Sequence, residues 1–255
     1  MYDFQRASMW KRISAALFDI ILLSIVVTVM AYLIALAINS NAQINKLYEV
    51  RDTYEKQYEI KFSDDYNELS EEEQVKYIEA QKAMYADSDF QNAFITVVNY
   101  TFIIISFSIL IGYFLVEFLP TLIFKNGQTL GKKIFGIAVM REDGVKVSPI
   151  LMFIRTILGK YTVETMIPVF VLLMIYFGTA TVKVFGLAVV TVIFVAQVVL
   201  FIVTKARTPM HDKLAHTVTV DFASQLIFDT KEEMVEYQKK IHEEQAEQSE
   251  ETKKQ

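Results

Sequence analysis

Apolar residues are concentrated in four long runs separated by polar connections. The runs cover residues 13–38, 93–119, 161–177 and 185–204. A membrane-spanning helix needs about 20 predominantly apolar residues, so each run is a candidate span. The first run is longer than the apolar core of a signal peptide, which is about 7–15 residues, so we read it as a retained span. The pattern predicts an all-α integral membrane bundle of four transmembrane helices.

The connections differ in charge, and this difference predicts an orientation. Residues 39–93 contain six basic and thirteen acidic side chains, whereas residues 120–160 contain seven basic and two acidic ones. Cytoplasmic loops carry an excess of Lys and Arg. We therefore expect both termini and residues 120–160 to be cytoplasmic, with residues 39–93 on the opposite side. The bilayer is the expected partner, and no nucleic acid is expected.

Four regions follow from these patterns. They are a cytoplasmic N-terminus with the first span (1–38), an acidic extracytoplasmic insertion (39–92), a membrane core with the other three spans (93–222) and an acidic, partly disordered cytoplasmic tail (223–255). Ser70 and Glu73 form a capping-box pattern, which predicts a helix from there to about Ala86. We expect the insertion to be a helical hairpin.

The connection after the second span predicts a short cytoplasmic β-hairpin. A short apolar run, Ile137–Met140, and Arg141 are followed by Glu142, Asp143 and Gly144, a sequence that suits a turn. Just before it, Gly127 and the Gly131–Lys132 pair invite comparison with a phosphate-binding loop. That motif requires four residues between its glycines and then a hydroxyl residue after the lysine, so we reject it. Instead, we predict that Lys125, Lys132 and Lys133 lie on the anionic membrane surface.

Five ionisable residues near the predicted cytoplasmic ends of the spans form the candidate site: Arg12, Asp19, Glu117, Arg155 and Asp212. A carboxylate at the centre of a span costs about 2.5–3.5 kcal/mol on insertion scales. In one interpretation Asp19 pairs with an arginine and clamps the first helix to its neighbours. In the other, the carboxylates line a cytoplasm-open vestibule and bind protons or Na⁺, as intramembrane acids in transporters do.

Two features of the sequence argue against the transport interpretation, and others argue against a metal site or an enzyme. Four spans are few for alternating access unless the chain forms a homo-oligomer, and we recognise no inverted repeat of the kind found in transporters. The sequence has no cysteine, and His211 and His216 are five residues apart, which does not suit a zinc pair on one helical face. We therefore predict no metal site, no cofactor and no catalytic residues, and we do not expect an enzyme.

Three patches of the chain resemble the RDD family of bacterial membrane proteins. They are residues 11–19 (KRISAALFD), 127–139 (GQTLGKKIFGIAV) and 207–220 (RTPMHDKLAHTVTV). The family is named for one arginine and two aspartates, which the resemblance places at Arg12, Asp19 and Asp212. His216 departs from the pattern, which often has glycine at that position.

The resemblance implies a multi-pass protein of a bacterial plasma or inner membrane. It implies transport of a small solute or cation, including Na⁺/H⁺ exchange, because members have been proposed to do this. Other members are proposed as small partners of membrane enzymes. The alternative is therefore a non-transporting protein that regulates or stabilises another membrane protein.

Overall fold

The computed structural model describes residues 5–124, 126–177, 180–203 and 208–253. It is mostly helical (78%), with one small two-stranded sheet. The α-helices are α1 (Met9–Ala37), α2 (Ser40–Tyr58), α3 (Glu71–Ala86), α4 (Ser88–Gly112), α5 (Leu119–Phe124), α6 (Leu130–Ile134), α7 (Pro149–Phe153), α8 (Ile167–Phe177), α9 (Ala180–Val203), α10 (Met210–Leu214) and α11 (Lys231–Lys253). The strands are β1 (Ile137–Arg141) and β2 (Thr217–Asp221), and a 3₁₀ turn covers Tyr66–Glu68.

Four helical stretches are long and apolar enough to cross a membrane, as predicted. They are Met9–Ala37, Ser88–Phe124, Pro149–Phe177 and Thr181–Leu200, here called the first to fourth spans. The third begins well before the predicted position 161. Arg155 and Lys160 interrupt the apolar run there, but Ser148 caps the helix at its start and Pro149 occupies the first turn, so the helix continues through both charges.

The chain divides into two compact units, one of residues Val27–Ser108 and a core unit of Met1–Val26 with Ile109–Gln255. The first contains α2 and α3, which confirm the predicted helical hairpin. The capping box is present, because Ser70 Oγ accepts a hydrogen bond from the amide of Glu73 and the Glu73 carboxylate accepts one from the amide of Ser70. Phe62 and Tyr77 meet edge to face with ring centroids 5.3 Å apart, which joins the end of α2 to α3.

The sheet of the core unit differs from the predicted local hairpin. The turn is present, with Gly144 at φ +87° and a hydrogen bond from the amide of Arg141 to the carbonyl of Val145. The return strand amounts to a single bridge between Met140 and Lys146. The full antiparallel partner of β1 is instead β2. The reason is burial: in the pairing of β1 with β2, the first four residues of each strand are buried.

Helices α6 and α10 each lead into a strand in the same way, and we call α6–β1 and α10–β2 the two helix–strand motifs. Each has a five-residue helix, one residue with positive φ (Gly136 at +64°, His216 at +50°) and a five-residue strand. Val139 pairs with Thr219, which holds the same position in its own strand, so a local two-fold axis relates the strands. Each motif follows two spans. The core unit is therefore a tandem repeat rather than an inverted one.

The acidic tail forms the helix α11 and is held to the core unit at its start. Met234 packs against Val145 and Phe228, and all three are buried. Asp229 makes an ion pair with Lys146. The disorder predicted for the tail is not tested and stays a prediction.

Candidate functional site

Apart from Asp89 in the first turn of α4, the charged side chains of the second and third spans lie on π-helical segments. These are Tyr113–Phe118, which carries Glu117, and Ile154–Met166, which carries Arg155, Lys160 and Glu164. Hydrogen bonds in such a segment join residues five apart, as between the amide of Ile167 and the carbonyl of Thr162. Residues five apart therefore lie nearly above one another. π-Helical turns occur frequently at functional sites.

Asp19 of the first span holds the start of α6. One carboxylate oxygen accepts a hydrogen bond from Thr129 Oγ1 at 2.5 Å, and the other accepts one from the amide of Gly131 at 2.8 Å. Gly131 is required here, because a Cβ atom would lie 2.4 Å from the carbonyl oxygen of Ala15. The interpretation in which Asp19 pairs with an arginine is wrong within the described chain. A hydroxyl and an amide satisfy it instead.

Glu164 of the third span holds the start of α10 in the corresponding way. It accepts one hydrogen bond from the amide of His211 and one from His211 Nδ1, both at 2.8 Å. Gly159 permits the close approach, since a Cβ atom there would lie 2.7 Å from His211 Cβ. Burial lowers the pKa of His211. The ring is therefore neutral near pH 7, with its proton on the nitrogen that faces Glu164.

Arg155 and Asp212, which are 57 residues apart in the sequence, form a buried ion pair. Arg155 Nε donates to Asp212 Oδ1 at 2.6 Å, and each side chain is 2% exposed. Thr217 Oγ1 donates to the same oxygen at 3.0 Å. Burial alone would raise the pKa of Asp212, but the charge and hydrogen bond of Arg155, with smaller contributions from neighbouring groups, together outweigh it and hold that pKa well below its usual range. Asp212 is therefore ionised at neutral pH.

The remaining predicted residues also lie in the core unit but make other contacts. Glu117 accepts two hydrogen bonds from Lys160 Nζ, both at 2.7 Å. Arg12 Nη2 donates to the carbonyl of Thr219 at 2.7 Å, so it contacts β2. Of Arg12, Asp19 and Asp212, the three residues to which the resemblance points, Arg12 and Asp212 line the cavity described next and Asp19 does not.

A cavity of about 170 Å³ lies among these side chains. It is lined by Arg12, Lys132, Ile137, Arg155, Lys160, Pro209, His211, Asp212 and Thr219. Four of the lining residues are Lys or Arg, and Asp212 is the one carboxylate among them. The lining therefore carries an excess of positive charge.

Lys132 lies inside the core unit, so its predicted position on the membrane surface is wrong. The residue is 7% exposed, and Nζ is buried without a hydrogen-bond partner in the described part of the chain. The close contact of Gly131 with the first span places the next side chain inside. Burial, followed by the charges of Arg155 and Lys160, lowers the pKa of Lys132 to about 7. Lys133 instead lies over the ring of Phe124 at 3.9 Å, and Lys125 is outside the described residues.

The sequence analysis selected Asp19, Glu117 and Asp212 among the acidic residues of this cluster but did not include Glu164, Thr129, Lys132 or His211 in the site. The repeat was the available signal. Residues 131–141 and 211–221 align without a gap, with Lys133 and Lys213 in register and an apolar residue after each. In that alignment His211 is equivalent to Gly131, and Asp212 is equivalent to Lys132.

The model of the RDD family matches residues 6–216 of the chain. This range contains all four spans and both short helices of the repeat. A search of curated proteins and a search of solved structures each found no match.

Proposed function

This chain belongs to the RDD family, and from that premise we propose that it transports a small solute across the plasma or inner membrane of a bacterium. The supporting observation is the cavity of about 170 Å³ among buried charges contributed in part by membrane spans. Ionisable side chains within spans are costly and commonly mark the pathway of a solute or ion.

We propose that the cavity opens on the cytoplasmic side, with both termini on that side as well. The support is the charge distribution of the connections. Without the buried Lys132 and the two cations of the third span, residues 120–160 still contain four basic residues against two acidic ones. Cytoplasmic connections carry such an excess.

The contacts give Na⁺/H⁺ exchange less support than transport of another solute. A cation site needs oxygens that are free to bind the ion, but the four acidic side chains of the cluster already have donors. Asp19 accepts hydrogen bonds from Thr129 and Gly131, and Glu117 accepts them from Lys160. Glu164 accepts hydrogen bonds from His211, and Asp212 accepts one from Arg155. The alternative remains a non-transporting partner of another membrane protein.

Cysteine labelling tests the orientation in a chain that has no native cysteine. Ser63→Cys and Ala223→Cys alter exposed positions outside the spans. A membrane-impermeant thiol reagent should label the first variant in intact cells and the second only after permeabilisation. Labelling in the opposite order would contradict the proposed orientation.

Flux measurements on the purified full chain in proteoliposomes test transport. Electrogenic currents and an internal pH-sensitive dye would be followed under gradients of Na⁺, K⁺, phosphate, sulfate and acetate. We expect a saturable flux that falls in Lys132→Met, at a residue that lines the cavity, and persists in Glu232→Gln, an exposed tail position. Coupled Na⁺ and proton movement would favour exchange. No flux from any of these gradients would favour the non-transporting alternative.

A further inference from the structure

We propose that the cavity is a binding site for a small oxyanion, a phosphate, sulfate or carboxylate group held between Lys132 and Arg155. The proposal names the solute class for the transport proposed above and rests on it for that role. Binding itself is measured separately from flux.

Lys132 supplies the first set of free donors. Its ammonium group has three N–H bonds, yet Nζ is buried and has no hydrogen-bond partner in the described residues. Leaving a buried donor unsatisfied costs about 1–3 kcal/mol, and more for a charged group. A ligand that accepts these hydrogen bonds would remove that cost.

Arg155 supplies the second donor at the same cavity. Its Nε is used by Asp212, which fixes the guanidinium plane. Its Nη1 is buried and also has no partner within the described chain. Planar guanidinium groups suit the oxygens of carboxylates and phosphates, and their charge-assisted hydrogen bonds are about twice as strong as neutral ones.

The charge balance at the cavity favours an anion over a cation. Arg12, Lys132, Arg155 and Lys160 line it, and Asp212 is the one lining carboxylate. Asp212 is already paired with Arg155, and Lys160 with Glu117. One more negative group beside Lys132 would offset the repulsion between Lys132, Arg155 and Lys160, which adds to the effect of burial on Lys132.

The volume limits the ligand to a small group. Since one water occupies about 30 Å³ in the liquid, the cavity of about 170 Å³ corresponds to roughly six waters. Pockets for drug-sized ligands are about 300–1,000 Å³. The group bound could be a free oxyanion or the phosphate of a lipid headgroup, since both present the same oxygens.

Binding is tested with the purified full chain in nanodiscs of a zwitterionic lipid. Phosphate, sulfate and acetate are added at constant ionic strength, with chloride as the balancing ion, and thermal stability and calorimetric heat are recorded. Native mass spectrometry of protein from nanodiscs with anionic phospholipid tests the lipid source. We expect saturable binding of at least one of these oxyanions.

Lys132→Met and Lys133→Met are the matched variants. We expect Lys132→Met to weaken binding at least about tenfold, which corresponds to about 1.4 kcal/mol, while its stability without oxyanion equals or exceeds that of the wild type. Lys133→Met should bind as the wild type does, because Lys133 lies over Phe124 and away from the cavity.

Each outcome separates the alternatives. If the wild type binds none of these oxyanions and retains no anionic lipid, the proposal is overturned, and a Lys132→Met variant less stable than the wild type would then identify Lys132 as a structural counter-charge. Retention of lipid alone, lost in Lys132→Met, supports the site and assigns it to a headgroup. Oxyanion binding without flux supports the site and contradicts only the proposed transport.

Discussion

The two helix–strand motifs of the core unit have the same backbone but opposite charges at corresponding positions. In both, a carboxylate from a span accepts a hydrogen bond from an amide in the short helix, Asp19 from Gly131 and Glu164 from His211. The next residue is Lys132 in α6 and Asp212 in α10. Asp212 is paired with Arg155, whereas Lys132 Nζ has no hydrogen-bond partner in the described chain.

This difference distinguishes the residues that hold the two motifs in place from the residues that determine the charge of the cavity. The contacts that recur in both motifs hold the short helices against the spans, so we assign them a structural role. The positions that differ surround the cavity. Removing one partner of a buried ion pair leaves an uncompensated charge, whereas removing a charge that has no partner takes such a charge away. The two motifs should therefore respond to mutation with opposite signs.

The largest expected effect is at the paired position. Asp212→Asn leaves the buried guanidinium of Arg155 without its counter-charge, so we expect a loss of about 3–5 kcal/mol of stability. Lys132→Met should leave stability unchanged or raise it. Thermal unfolding in detergent and folded yield measure both. The double variant Arg155→Met with Asp212→Leu should recover much of the loss, and a wild-type stability for Asp212→Asn would contradict the comparison.

The recurring carboxylates should produce smaller and similar effects. Asp19→Leu and Glu164→Leu each leave a buried amide without an acceptor, and we expect a loss of about 2–3 kcal/mol in each case. Asp19→Asn and Glu164→Gln keep a carbonyl oxygen for that amide and should recover part of it. Chemical unfolding followed by intrinsic fluorescence provides the measurement. A large loss at one carboxylate and none at the other would show that the motifs are not equivalent.

Features that depend on nearby residues were predictable from the sequence. The four spans follow from runs of apolar residues, and the helix after Ser70 follows from a capping box of four residues. The third span began earlier than predicted because a local hydropathy pattern does not show that Ser148 and Pro149 start a helix that then tolerates Arg155. Helix starts depend on capping as well as on hydropathy.

Features that depend on distant residues were not predictable in detail. Arg155 and Asp212 were both chosen as site residues, but their pairing depends on how α10 meets the third span. Lys132 read as a surface lysine because its neighbours are basic, and only the close contact at Gly131 places it inside. The pairing of β1 with β2 joins strands separated by a pair of spans, whereas the adjacent turn offered a shorter connection.

Lys132 should also give stability a distinct pH dependence. Its pKa is about 7 in the folded protein and about 10.4 in an unfolded chain. Between these values the unfolded chain binds more protons, so stability should rise with pH, by at most about 1.4 kcal/mol per pH unit. The charged groups facing it are Asp19 of the first span, Glu117 of the second, and Arg155 and Lys160 of the third.

Unfolding of the wild type and Lys132→Met between pH 7.5 and 8.5 measures this contribution, because other titrating groups contribute to both. We expect the stability of the wild type to rise relative to the variant as pH increases. Saturating oxyanion should reduce the difference, since it favours the charged lysine. Parallel pH profiles without oxyanion would show that Lys132 keeps an ordinary pKa in the folded state.

The smallest expected effect is at the residue that joins helix to strand. His216 has φ +50°, in the left-handed region. The equivalent residue of the first motif is Gly136, with φ +64°. That conformation costs a residue with a side chain about 1–2 kcal/mol, but glycine loses about 0.5–1 kcal/mol more chain entropy on folding. His216→Gly should therefore stabilise the folded protein by up to about 1 kcal/mol. Gly136→Ala should destabilise it to a similar extent through the backbone conformation alone, because no atom lies within 4 Å of the added Cβ. Thermal unfolding of both variants measures this. Destabilisation by His216→Gly would mean that the imidazole, 3.8 Å from Glu142, outweighs the backbone strain.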